Sequence, residues 1–224
     1  MFKLTKSCVL FLLIIFSVSK GNSQLSKVHY IPPITDHGTG STTGDQYLYI
    51  STPSNSNVAY KVTPIGNPLG VTQGFVSNAN PEKLPIGTGV SQLILEYSKI
   101  GEVVNNKGYY IQADDLVYVS VRMNKDMSNT GTSYFQAGAL VSKGMAALGQ
   151  EFRVGSFTTP NSDDGHLSFF SILATEDNTI INFDFPKIAQ YINLGGTPPS
   201  SIILDEFESY TIAIEGGSGN IGTL

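Results

Sequence analysis

Apolar residues recur at every second position in short runs along this chain, and no stretch holds a 3.6-residue period through three helical turns. Period-two alternation marks half-buried strands, because successive side chains point to opposite faces. Strands are expected at 25–31, 46–51, 57–62, 93–97, 109–112, 116–121, 152–157, 167–173, 179–184, 202–204 and 210–214, with a candidate at 71–75 inside a long Gly/Pro/Asn-rich excursion. The runs 46–51 and 57–62 bracket a small polar turn at Asn55 and predict a hairpin. Residues 142–149 form the one helical turn, kept short by Gly144 and Gly149.

One layout occurs twice. Residues 48–62 run strand, polar turn with Asn55, strand, and residues 167–183 repeat the order with Asn178 at the turn. A further apolar run follows each, at 93–97 and 202–204, and then a glycine, Gly108 or Gly222. The expectation is an all-β, antiparallel fold of two repeated β units, sandwich-like in packing, with a propeller-like array as the alternative. The expected divisions are 1–23, a signal peptide; 24–45, an N-terminal strand and linker; 46–157, the first unit; and 158–224, the second. The second unit stops where the first continues into 109–115, so the chain reads as truncated at its C-terminus, the N-terminal part of a longer protein.

The N-terminus sets the compartment. Lys3 and Lys6 precede a short apolar run at 8–18, and Gly21 and Ser23 suit the −3 and −1 positions of cleavage between Ser23 and Gln24. That run is shorter than the roughly 18–20 residues a spanning helix needs. The only cysteine, Cys8, lies inside the segment, so the mature chain is expected to fold without disulfides. Charged residues are 14% of the chain, against roughly 25% in typical soluble domains. The net charge of −5 with no basic patch gives no reason to expect nucleic acid.

Candidate chemistry is sparse. The segment 217–222 matches G-x-G-x-x-G, but a dinucleotide site needs those glycines to open a helix, and a glycine-rich β-turn is the simpler reading. Asp114, Asp115, Asp163 and Asp164 are weak calcium candidates; paired carboxylates also suit β-turns, and no EF-hand loop is present. His29, His37 and His166 lack metal-ligand spacing and read as surface residues. No G-x-S-x-G elbow is present, and no catalytic residue or cofactor is assigned. Tyr47, Tyr49, Tyr60, Tyr109, Tyr110 and Tyr118 could include a platform for sugar stacking or protein contact, although most suit cross-strand packing.

The run 168–181, with Ala174-Thr175-Glu176-Asp177-Asn178-Thr179 at its centre, resembles the "atednTtv" signature of the IgGFc-binding protein N-terminal domain family. The stretch 108–119 is similar to that family's glycine, isoleucine, small-acidic, valine-x-valine strand pair, and 148–154 to its "LG-x-[EY]-[YF]" segment. The resemblance covers most of 46–224 and the first part of a full family domain. It implies a non-catalytic surface module of the bacterial, adhesin-like and gliding-associated branch; immunoglobulin binding is not carried over, because no single binding motif is. The lack of cysteines after residue 23 departs from animal members, and the loops at 67–89 and 188–200 look long.

The leading expectation is therefore an exported, cell-surface adhesion or interaction module with an extracellular protein or glycan ligand. Its contacts are expected on the loops 67–89, 124–133 and 188–200. A structural spacer is the alternative, and an accessory region of a carbohydrate-active enzyme ranks below both.

Overall fold

A computed structural model describes residues 24–35, 44–125, 136–155, 167–185, 191–195 and 198–215. The fold is all-β and antiparallel. Its strands are β1 Leu25–Ile31, β2 Ile34–Thr35, β3 Asp45–Ser51, β4 Val58–Pro64, β5 Thr72–Val76, β6 Glu82–Thr88, β7 Ile94–Leu95 and β8 Val103–Val104. They continue as β9 Tyr109–Lys125, β10 Gln136–Ser142, β11 Leu167–Leu173, β12 Thr179–Asn182, β13 Ser201–Leu204 and β14 Ser209–Glu215. Among the described residues helix is confined to short 3-10 turns at Pro68–Gly70, Tyr97–Lys99 and Gly144–Ala147. The last of these is the expected turn within 142–149.

The main sheet has seven strands, but its registers resolve into three rows around one spine. β9 is that spine. On one side β10 pairs its second half, from Gln136 opposite Lys125 to Ser142 opposite Val119, and β1 continues the row from Leu25 opposite Tyr118 to Ile31 opposite Tyr109. On the other side β3 and β4 lie end to end, with Ser51 opposite Tyr118 and Tyr60 opposite Ala113. β6 and β5 form the outermost row, paired with β3 and β4. The sheet is a curled half-barrel, and its rows jog at one common level.

The expected hairpin of 46–51 and 57–62 is therefore absent: the two strands pair with β9 and not with each other. A tight hairpin turn needs positive φ, and Asn55 is not among the residues that adopt it. The connection of six residues, 52–57, sidesteps instead of reversing. Its even length preserves parity, so Leu48 and Ile50 before it and Val58, Tyr60 and Val62 after it enter one core. Facing them from β9 are Ile111, Val117, Val119 and Val121.

β11 and β12 are likewise unpaired with each other. β11 pairs with β14 and β12 with β13, so the two lie along one kinked antiparallel ribbon. Strand, jog, strand is thus common to 45–64 and 167–182. The likeness stops there, since β7 pairs in parallel with β2 whereas β13 pairs antiparallel with β12. The two-residue β2–β7 pairing is an exception to the antiparallel rule. β14 is buried on both faces: Tyr210, Ile212 and Ile214 join Leu204 and Tyr191 on one side, and Ala213 meets Leu95 and Ile100 on the other. Phe169 of β11 and Ile34 belong to the main core, which ties the ribbon to the large sheet.

Other expectations need correction. The loop 67–89 contains β5 and β6, so it is mostly sheet edge. β6 escapes the eye because Lys83, Pro85 and Gly87 interrupt it; an edge strand tolerates proline, whose missing N–H would face outward. The separate strands 109–112 and 116–121 are one continuous β9. Residues 152–155 make no strand, and Phe152 is 66% exposed; 156–157 lie outside the described residues. Of the loop 124–133, residues 126–133 lie outside too, and of 188–200 so do 188–190, 196 and 197.

Candidate functional site

The signal segment with Ser23, the pair Asp163 and Asp164, His37, His166 and the glycine motif at 217–222 all lie outside the described residues. Gln24 forms a turn ahead of β1. Asp114 and Asp115 occupy no loop. They sit inside β9 at its bend, where residues 113–116 face the single Lys27 of β1 and the register shifts. Lys27 Nζ donates to the Asp114 carbonyl at 2.7 Å and stands 4.0 Å from the Asp115 carboxylate, with both side chains more than half exposed. Among the described residues no cluster of three or more His, Cys, Asp or Glu side chains could hold a metal ion. Nor is any described helix long and apolar enough to cross a membrane.

His29 corrects the surface reading outright, being fully buried. The register shift at Lys27 changes strand parity, so Ser26, His29 and Ile31 turn inward. His29 Nε2 faces the carbonyls of Val117 (3.0 Å) and Ser26 (3.2 Å), which requires it to carry the proton. Nδ1 then accepts from Ser142 Oγ at 2.9 Å. Desolvation lowers the imidazole pKa below its ordinary value, and the two carbonyls oppose that shift only in part. This ring is an internal clasp at the point where β10 hands over to β1.

The tyrosines divide in two. Tyr60 and Tyr109 are core residues. Burial, with Glu82 beside it, pushes the Tyr60 phenol up to about 12, and burial alone does the same for Tyr109. Their hydroxyls donate to Glu82 Oε2 and the Ile86 carbonyl, each at 3.2 Å. Tyr110 packs with Tyr30 (5.1 Å between ring centroids) and Phe207 (5.3 Å), where the corner of the ribbon meets the large sheet.

Tyr47, Tyr49 and Tyr118 remain half-exposed. Strand alternation in β3 sends Gln46, Leu48 and Ile50 inward, and Tyr47 and Tyr49 to the opposite face. Tyr47 stands opposite Pro85 and Arg122, and Tyr49 opposite Lys83. Lys83 Nζ lies 3.9 Å from the Tyr47 ring centre and 5.8 Å from that of Tyr49, while Arg122 Cζ is 5.7 Å from Tyr49. The rings meet edge to face at 6.3 Å. Beside them lies a hollow of about 210 Å³ lined by Asp45, Gln46, Tyr47, Pro85, Gly87 and Thr88. Asp45 accepts hydrogen bonds there from Tyr47 Oη (3.2 Å) and Thr88 Oγ1 (2.9 Å). The floor is fixed by the buried Gln46, whose amide donates to the Gly89 carbonyl at 2.7 Å and accepts from Ser91 Oγ. Alternation made Tyr47 and Tyr49 visible as neighbours in the sequence. Lys83, Arg122 and Thr88 carried no comparable signal, because cross-strand register places them.

The signature-like residues form a structural corner. Ala174 is buried, and its N–H and carbonyl pair with Glu208 and Phe207 of the connection between β13 and β14. Asp177 Oδ1 accepts the Glu206 N–H at 3.0 Å, and Asp205 Oδ1 accepts the Asn178 N–H at 3.1 Å, a reciprocal clamp between the two jogs. Asn178 adopts φ 55, a region that asparagine and glycine enter more readily than other residues. Asn178→Gly should therefore leave stability nearly unchanged, whereas Asn178→Val should lose about 1–2 kcal/mol in urea unfolding.

Comparison with protein-family models, characterised proteins and solved structures finds no match to this chain.

Proposed function

We propose that this chain is an exported, non-catalytic surface module that binds an extracellular ligand through the outer face of its main sheet. The observation that carries this reading is the half-exposed Tyr47–Tyr49 pair flanked by Lys83 and Arg122 beside a polar hollow. Aromatic faces and positioned polar groups on a rigid sheet are a binding chemistry, since little conformational freedom is lost on contact. Two sequence features support export: the signal-type segment 1–23, and the low charge with no cysteine after it. The resemblance of 168–181 to IgGFc-binding N-terminal domains supports a surface role, with 46–224 as the leading part of such a domain.

The contact surface moves accordingly from the three expected loops to the sheet. The test is retention of the purified, labelled protein on bacterial cells and on arrays of proteins and glycans. Saturable retention is expected. Retention no greater than that of an unrelated β-protein of similar charge would reject the proposal.

A further inference from the structure

We infer that the Tyr47–Tyr49 face is a binding site for an acidic polysaccharide of the uronate class, an inference that rests on the surface-module reading and names its ligand. Three features of the face converge on that chemistry.

The first is apolar. Tyr47 and Tyr49 project from one side of β3 as half-exposed rings, and the flat C–H faces of a pyranose stack on such rings. The second is polar. The hollow at the end of β3 presents the Asp45 carboxylate together with the hydroxyls of Tyr47 and Thr88, which can exchange hydrogen bonds with sugar hydroxyls. The third is electrostatic. Although the chain carries −5 overall, two cations flank the tyrosines, Lys83 on one neighbouring strand and Arg122 on the other, and Asp45 at the end of β3 is the carboxylate bonded to Tyr47.

Neither cation forms an ion pair with a carboxylate among the described residues, and their contacts are the tyrosine rings. Lys27, Lys99 and Lys107, by contrast, each lie within 4.0 Å of a carboxylate. Lys83 and Arg122 thus stand beside the stacking surface with ionic capacity to spare. A guanidinium matches a planar carboxylate in bidentate geometry. A neutral glycan would leave both cations unused, so the face selects for a sugar bearing a carboxylate. Because both cations are exposed, the ionic part of the affinity should fall as salt rises.

The experiment is titration of the purified protein with polygalacturonate, and with neutral galactan as control, followed by tyrosine fluorescence; the chain has no tryptophan to mask the signal. Polygalacturonate should bind and galactan should not. Binding should weaken at least tenfold in the K83Q/R122Q double variant, and Tyr49→Leu should weaken it without removing the salt dependence. Equal affinity for the two polymers, or equal binding of polygalacturonate by the double variant, would overturn the assignment. If the protein is retained on cells but takes up no polyuronate, this inference fails while the surface-module reading stands. Failure of both measurements rejects both.

Discussion

Gly108→Ala should be among the most damaging single-methyl changes at the described residues, with a loss of about 3–5 kcal/mol. Gly108 opens the spine strand β9 at φ 93, where an L side chain is strained. A Cβ there would also press on the Ile31 carbonyl oxygen, a backbone atom that cannot swing aside. The residue is a hydrogen-bond junction as well. Its N–H donates to the Gln92 carbonyl at 2.8 Å, and its carbonyl accepts from the Ile65 N–H at 3.1 Å and Gln92 Nε2 at 3.0 Å. Relieving the clash must therefore disturb the start of β9, the end of β1 and the loop before β7 together. Such a loss is a large share of the roughly 5–15 kcal/mol that stabilises a typical domain. The measurement is the urea midpoint against Gly155→Ala, since Gly155 has open space where its Cβ would be. A Gly108→Ala midpoint equal to that control would contradict the account.

His29→Leu should come next, destabilising the fold by about 2–4 kcal/mol, because it leaves the carbonyls of Val117 and Ser26 buried without their donor. The wild-type residue also predicts a pH dependence. Its folded pKa lies below the ordinary 6.5, so at mildly acid pH the unfolded chain binds the proton more readily than the folded one. Stability from this residue is therefore complete above about pH 6.5 and declines as pH falls through the depressed folded value. The slope approaches about 1.4 kcal/mol per pH unit at most. His29→Leu should be less stable at pH 8 yet flatter between pH 7 and 5. Parallel stability curves for the two proteins would show that His29 does not titrate in this window.

These residues also show where sequence reading stops. In 25–31 the visible alternation is Val28 and Tyr30 against His29, which placed the histidine outside. The register shift at Lys27 inverts that parity, and no residue type announces a shift whose cause is the bend of a strand some ninety positions away. Asp114 and Asp115 looked like a turn for a related reason. Local composition favours a break, but the pairings before and after it along the strand carry β9 through as a bend. Asn55 and Asn178 stood in matching patterns and received the same turn assignment; only Asn178 adopts positive φ. The strands 25–31 and 167–173 were legible at their true bounds because each is an apolar-rich run that ends at turn-forming residues, although the facing within 25–31 was not. The candidate site was half legible. Tyr47 and Tyr49 announce themselves by spacing, whereas Lys83 and Arg122 reach them through pairings across tens of residues that no local pattern encodes.

The position of β9 also governs how the molecule comes into being. As the polypeptide emerges N-terminus first, β1, β3 and β4 all precede the strand that will join them, and β10 follows it. Besides the two-residue contact of β2 with β7, only the outer pairings of β3 with β6 and of β4 with β5 are open to the nascent segment, and two-stranded ribbons of that size are marginal in water. Closure must wait for residues 109–125, and such non-local pairing is intrinsically slow. Until then the chain remains pliable and threadable, the form in which a polypeptide can be moved through a narrow conduit before it sets.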